Sequence, residues 1–141
     1  MESYKNIRDR QQKEYNEFSK DKVFYAFSEE QFKEGLKKLK ANKKDIVQFI
    51  DGGFIKENDL KDLKELLKGH SQEIEDYITL DKTGEGFIYE MFKYELANHE
   101  YKITHDLEDT LKSLNITGEE IELKENLKHG LLKAIKEYEE D

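Results

Sequence analysis

The chain contains no proline and only two valines, whereas lysine, glutamate and leucine are its commonest residues. Because no residue lacks a backbone N–H and β-branched strand formers are scarce, this composition favours helices. Its 141 residues match the size of one domain. We therefore predict a mainly α fold, a single compact domain over residues 1–141 with six to eight short helices and two very short strands near residues 22–27 and 46–55.

Apolar residues that recur three and four positions apart define the predicted helices. Ser28 followed by Gln31, and Thr117 followed by Glu120, form capping boxes that mark two helix starts. Gly69 has the position of a glycine that ends a helix. The predicted helices cover residues 2–19, 28–39, 58–68, 71–78, 87–100, 104–114, a segment from Thr117, and a last one that carries Leu127, Leu131, Ile135 and Tyr138.

Several classes of protein are excluded by what the sequence lacks. No apolar run approaches the ~18 residues of a membrane span, and no apolar stretch follows residues 1–10 as in a secretory signal. The absence of cysteine excludes disulfides, thiol catalysis and iron–sulfur clusters. No glycine-rich phosphate loop or nucleophile motif is present. We expect a cytoplasmic protein without a cofactor that is not an enzyme.

The net charge of −9 is distributed unevenly along the chain. Residues 1–70 carry a net charge of +2 and residues 71–141 one of −11. Such asymmetry suits a protein partner with a basic surface, although two solvated helix surfaces or a pairing of the two halves would also explain it. The candidate partner-binding residues are Asp106, Glu108, Asp109, Glu119, Glu120, Glu122 and Glu125.

The segment from Lys33 to Lys44 holds six lysines and a single acidic residue, Glu34. Binding of nucleic acid would call for aromatic residues among these lysines, and only Phe32 lies nearby. We therefore do not expect direct binding of nucleic acid, nor of a membrane.

Two segments of the chain resemble each other, residues 50–55 and 81–88, in which Gly53-Phe54-Ile55 and Gly86-Phe87-Ile88 are 33 residues apart. The resemblance of the two would suit a pair of EF-hand-like helix–loop–helix units. Residues 81–92 resemble a degenerate EF-hand calcium loop, which implies calcium as a ligand. In that alignment the ligands are Asp81, Thr83, Glu85 and the carbonyl of Phe87. Phe92 stands where an EF-hand has its bidentate glutamate. The alternative is a turn in which Asp81 or Thr83 caps the following helix.

A second group of chemically active side chains begins with Glu95 and His99, which are one helical turn apart. His105, Asp106 and Asp109 follow across a turn, and a set of this kind can hold a divalent metal. The same spacing also makes an ordinary pair on a helix surface.

Five segments of the chain carry a resemblance to a wider group of proteins: residues 10–18, 27–35, 52–54, 81–89 and 94–101. In these segments the chain resembles small uncharacterised acidic proteins carried by phages and mobile elements of Gram-positive bacteria. The resemblance implies an inhibitor of a host defence system, similar to anti-CRISPR proteins. Such a protein would occlude a basic, nucleic-acid-binding surface through its acidic C-terminal half. The alternative is a calcium-responsive, EF-hand-like interaction module.

The spacing of apolar residues also predicts where the core lies. We expect Phe87, Ile88, Met91, Phe92 and Leu96 to be buried, and to pack against Leu60, Leu63 and Leu67.

Overall fold

The computed structural model describes residues 2–49 and 52–140. Within these residues helices predominate, which confirms the prediction of a mainly α fold. Eight α-helices and three short strands are present in the described residues: α1 (Tyr4–Ser19), β1 (Val23–Phe24), α2 (Glu29–Leu39), β2 (Ile46–Gln48), β3 (Phe54–Lys56), α3 (Glu57–Leu80), α4 (Phe87–Asn98), α5 (Tyr101–Thr104), α6 (Glu108–Ser113), α7 (Gly118–Leu123) and α8 (Glu125–Glu140). A 3-10 turn, Lys43–Asp45, precedes β2.

The chain divides into two compact units. The larger unit comprises Met1–Asp9 and Glu73–Asp141, and the smaller unit comprises Arg10–Gln72. The acidic charge lies in the larger unit, which has 10 basic and 21 acidic residues, a net charge of −11. The smaller unit has 14 basic and 12 acidic residues, a net charge of +2. The single domain expected for the whole chain stays a prediction.

The core of the larger unit is built around α4. All five of its predicted core residues are buried, from Phe87 to Leu96. They share this core with residues of α1, α7 and α8, among them Tyr4, Ile7, Ile121, Leu127, Leu131 and Ala134. Gly130 lets α8 come close to α4, because a Cβ at this position would lie 2.5 Å from Cγ2 of Ile88.

The smaller unit contains an antiparallel sheet with the strand order β1-β3-β2. Val23 and Val47 flank Ile55 on one face of the sheet, and this face packs with Leu63 of α3. On the other face Phe24 and Phe54 stack on each other, and Phe32 of α2 packs edge-on against Phe54 and at a tilt to Phe24. The α2 helix fits closely here, since a Cβ at Gly35 would overlap the ring of Phe24.

Three predictions about α3 and its neighbours are wrong. The helix runs without a break from Glu57 to Leu80, so Gly69 does not end a helix and Ser71 does not begin one. A glycine inside a helix costs only about 1 kcal/mol, which the hydrogen bonds and packing of a 24-residue helix outweigh. Leu60 and Leu63 belong to the core of the smaller unit rather than packing on α4, and Leu67 is 44% exposed.

The helix expected from Thr104 is also placed differently. Thr104 ends the short α5, and its hydroxyl accepts a hydrogen bond from the N–H of Asp106. The carboxylate of Asp106 in turn accepts the N–H of Glu108, the first residue of α6. Among the described helices, none combines the length and the apolar character needed to cross a membrane.

Candidate functional site

The turn between α3 and α4 is organised by the carboxylate of Asp81. This carboxylate accepts hydrogen bonds from the backbone N–H groups of Gly84 (3.1 Å), Gly86 (3.2 Å) and Ile88 (3.0 Å). The hydroxyl of Thr83 accepts a further bond from the N–H of Glu85 at 3.2 Å. Since the first N–H groups of a helix have no partner within it, Asp81 satisfies one donor that α4 leaves open, that of Ile88, and two donors of the turn before the helix.

This turn is also fixed against α8. The side-chain amide of Asn126 donates to the carbonyl oxygens of Ile78 (3.3 Å) and Asp81 (3.0 Å). A Cβ at Gly84 would overlap the carbonyl oxygen of Asn126, and Gly84 has a φ of +85°. Only glycine combines this backbone conformation with such a close approach. The turn therefore depends on Gly84. Gly86 has a φ of −103°, so it does not supply the positive φ that Gly84 does.

The predicted calcium ligands are positioned by these contacts. Asp81 and Thr83 bind backbone N–H groups, and Glu85 lies 3.5 Å from Nε2 of His129 and 3.8 Å from Nζ of Lys133. Phe87 is buried in the core of the larger unit. This arrangement matches the alternative, a turn that caps α4, and calcium binding at these residues stays a prediction.

The other half of the proposed EF-hand pair has a different structure. The β2 and β3 strands form a hairpin there, in which the N–H of Phe49 donates to the carbonyl of Gly53. The strand β2 precedes this turn, whereas in an EF-hand a helix precedes the loop. Ile50 and Asp51, which belonged to the predicted repeat, lie outside the described residues.

The larger unit contains a buried carboxylate, that of Glu95, which is 1% exposed. Its Oε1 atom accepts a hydrogen bond from the Tyr4 hydroxyl at 2.7 Å and lies 3.5 Å from Nε of Arg8. Its Oε2 atom lies 3.4 Å from Nε2 of His99 and accepts a bond of 3.4 Å from the hydroxyl of Ser113. We call these five residues the Glu95 cluster. A buried charge requires such partners, because transfer from water is otherwise prohibitive.

The electrostatics of the Glu95 cluster act most strongly on Tyr4. Burial, followed by the hydrogen bond to the Glu95 carboxylate, raises the pKa of the Tyr4 hydroxyl well above its usual range. The hydroxyl of Ser113 also donates to the carbonyl of Thr110 at 2.8 Å. Within the described part of the chain, His99 makes no hydrogen bond to Ser113, so the cluster lacks a base paired with a nucleophile.

The predicted metal ligands are not brought together around Glu95. His105 packs edge-on against Tyr101, and Asp106 caps α6. Across residues 2–49 and 52–140, no group of three or more histidine, aspartate or glutamate side chains is arranged to hold a metal ion. The sequence pairs Glu95 with His99 but does not reveal Tyr4, Arg8 or Ser113 as partners of Glu95. No sequence signal points to these three, since Tyr4 lies 91 positions from Glu95.

The seven candidate partner-binding residues lie on or beside two consecutive helices of the larger unit, α6 and α7. We call them the acidic surface: Asp106, Glu108, Asp109, Glu119, Glu120, Glu122 and Glu125. Six of them are exposed and Glu120 is half-buried. Thr117 caps α7 as predicted, and accepts the N–H of Glu120 at 3.1 Å.

Most of the acidic surface has no cation within reach in the described structure. Glu122 pairs with Lys128 at 3.2 Å, and Asp106 is engaged in its cap. The side chains of four residues make neither a hydrogen bond nor an ion pair to the described residues: Glu108, Asp109, Glu119 and Glu125. These four carboxylates are free to meet an external cation.

A family model described as a family of unknown function (DUF7659) matches residues 3–137. Neither the curated proteins nor the solved structures contain a match to this chain.

Proposed function

The chain belongs to the DUF7659 family of unknown function, and from this premise we propose that it is a non-enzymatic binding protein. Its acidic surface docks on a basic surface of a partner protein. The observation that carries the proposal is the set of four exposed carboxylates on α6, α7 and α8 without a cation of their own. Charges of one sign left unpaired on a surface favour a partner of the opposite sign.

Exposed apolar side chains beside the acidic residues support the proposal. Leu123 is 75% exposed and lies between Glu122 and Glu125 in the chain. Ile103 is 78% exposed and lies on α5, directly before the first acidic segment. Protein interfaces combine apolar anchors with a polar rim, and these residues supply both parts.

The narrower proposal concerns the partner. The resemblance to small acidic proteins of phages and mobile elements favours an inhibitor of a host defence system, acting in the cytoplasm in the manner of anti-CRISPR proteins. In that role the acidic surface takes the place of a nucleic-acid backbone on the partner. Its net charge of −11 gives the larger unit the sign that such mimicry requires.

Affinity capture with matched variants tests the broader proposal. The immobilised protein is exposed to a bacterial lysate, the retained protein is identified, and its affinity is measured by calorimetry at several salt concentrations. In the test variant the four free carboxylates become amides: Glu108→Gln, Asp109→Asn, Glu119→Gln and Glu125→Gln. We expect at least tenfold weaker binding, and weaker binding of the wild type as salt rises.

A control variant carries the same change of net charge in the smaller unit: Glu29→Gln, Glu30→Gln, Glu34→Gln and Glu57→Gln, all at exposed positions. It should bind the retained protein as the wild type does. Equal binding by the test variant would reject the acidic surface as the docking site. For the narrower proposal, the wild type should release nucleic acid from the retained partner, and failure to do so would reject occlusion.

A further inference from the structure

The smaller unit presents a surface of the opposite charge. On α2 and the 3-10 turn after it, six lysines are exposed: Lys33, Lys37, Lys38, Lys40, Lys43 and Lys44. None of the six makes an ion pair with the described residues. Even with the three glutamates of α2 included, residues 27–44 carry a net charge of +3.

The geometry of α2 aligns part of this charge. Lys33 and Lys37 lie one turn apart on α2, and Lys40 follows three residues later as the C-cap residue of the helix. At the rise of a helix, the seven positions from Lys33 to Lys40 span about 10 Å. Another side of α2 packs on the sheet through Phe32 and Gly35. All three side chains are exposed to solvent, and we call these three residues the lysine row.

Two aromatic side chains next to this helix are open to solvent. Phe27 is 92% exposed and Tyr25 is 50% exposed. Phe27 directly precedes the cap residue Ser28, and its backbone N–H donates to Oε1 of Gln31 at 2.7 Å. An apolar residue at this position commonly packs on the first turns of its helix. Here its usual contact, Phe32, is engaged with Phe24 and Phe54 instead.

We propose that residues 25–44 form a binding site for single-stranded nucleic acid, in which the lysine row contacts phosphates and Phe27 stacks on a base. Stacking of bases on exposed rings, combined with cations that follow the backbone, is how proteins hold single strands without sequence preference. From the sequence, Phe32 is the aromatic residue nearest to the lysines and no such binding is expected, whereas the structure leaves Phe27 and Tyr25 exposed. An acidic protein would also satisfy the lysines, and it is the alternative occupant that the competition experiment below distinguishes.

The site can be observed directly, because the chain contains no tryptophan. Phe27→Trp introduces a single indole whose fluorescence reports stacking. On titration with a twelve-nucleotide oligothymidylate or oligouridylate we expect quenching and saturable binding. Three phosphate contacts predict a slope of roughly −2 in a plot of log affinity against log salt concentration. The absence of saturable binding by either strand at low salt would overturn the proposal.

Matched variants locate the binding. The variant with Lys33→Gln, Lys37→Gln and Lys40→Gln should bind single strands about tenfold more weakly. Its affinity should also depend less on salt concentration, because fewer phosphates are contacted. Its control, Lys61→Gln, Lys64→Gln and Lys68→Gln, removes the same charge from exposed positions of α3 and should stay within about threefold of the wild type. Equal losses in both would show unspecific attraction and overturn the site.

A second pair of variants distinguishes the contribution of stacking from that of charge. Phe27→Ala should weaken binding of single strands without lowering the melting temperature, because the ring is exposed, whereas Leu67→Ala in the same unit should leave binding unchanged. Duplex DNA and polyglutamate are the competitor probes. Competition by polyglutamate as strong as that by the oligonucleotide, with no quenching of Phe27→Trp, would favour an acidic protein and reject nucleic acid. The site lies in the smaller unit, so its failure leaves the acidic surface untouched.

Discussion

At the scale of single residues, the side chain that organises most of its surroundings is Glu95. It is buried, and it gathers side chains from three helices, α1, α4 and α6. Hydrogen bonds to a charged group stabilise a protein by about 1.5–3 kcal/mol each, provided that the geometry is good. We therefore expect loss of the shortest contact, that from the Tyr4 hydroxyl at 2.7 Å, to lower the stability of the protein.

Replacing Tyr4 by phenylalanine should destabilise the protein by about 2 kcal/mol at pH 7, because Glu95 loses its closest donor. The folded pKa of Tyr4 lies above the value of 10.0 for a free tyrosine, so its contribution is complete below pH 10 and declines above it. Between pH 10 and pH 11 the difference in stability between wild type and Tyr4→Phe should narrow by about 1 kcal/mol. Urea unfolding of both proteins at these pH values measures this difference in stability. A constant difference across this range would contradict the assignment.

At the scale of elements, the structure separates signals that are local from those that are not. Ser28 and Thr117 cap their helices as predicted, since each satisfies a donor only three residues away. Gly69 lies inside α3 and does not end a helix, because whether a glycine ends a helix depends on the packing of the residues beyond it. The partners of Glu95 were missed for a related reason: only His99 lies within one turn, and the others come from distant helices.

The continuity of α3 can be tested at Gly69. Gly69→Ala should stabilise the protein by about 0.5–1 kcal/mol, because alanine is the better helix former and no atom lies within 4 Å of the added Cβ. Thermal or urea unfolding measures the change. A glycine that ended a helix with a positive φ would give the opposite sign, so a loss of stability would show that α3 is interrupted.

The turn before α4 makes a second prediction at this scale. Asp81→Ala should cost about 2 kcal/mol, more than a single cap, because three backbone N–H groups lose their charged acceptor. Glu90→Ala, an exposed change on the same helix, is the control in urea unfolding. A cost below that of Glu90→Ala would contradict the capping role.

Calcium is a separate question for the same turn. At a concentration 100 times its dissociation constant, a ligand adds ~2.7 kcal/mol to stability. The melting temperature in millimolar calcium, compared with that in chelator, therefore tests the predicted ligands Asp81, Thr83, Glu85 and Phe87. An unchanged melting temperature would reject calcium binding.

At the scale of the whole molecule, two properties could be read from the sequence and one could not. The helical class follows from composition, and the buried face of α4 follows from its spacing of apolar residues. The division into two cores does not follow from the sequence, because the spacing of apolar residues does not say which helix faces pack against each other. Leu63 and Phe92 both lie on apolar helix faces with the same three- and four-residue spacing, yet they belong to different cores.

The core of the larger unit should depend on Phe92, which is fully buried. Phe92→Ala should cost about 3–5 kcal/mol, a large share of the stability of a protein this size. Phe27→Ala removes the same ring from an exposed position and should leave the melting temperature unchanged. Equal melting temperatures for the two variants would show that Phe92 is exposed and belongs to a binding surface.

The larger unit draws its residues from both sides of the smaller one along the chain, and this has a consequence for biosynthesis. The ribosome completes the smaller unit first, when Tyr4 and Ile7 have been made but their core partners on α4 and α8 have not. At 5–20 residues per second, translation from residue 72 to Ala134 takes roughly 3–12 s. During that interval the first two turns of α1 carry apolar side chains without their native cover. A nascent chain stalled near residue 80 should therefore be a better substrate for chaperones and proteases than the finished protein.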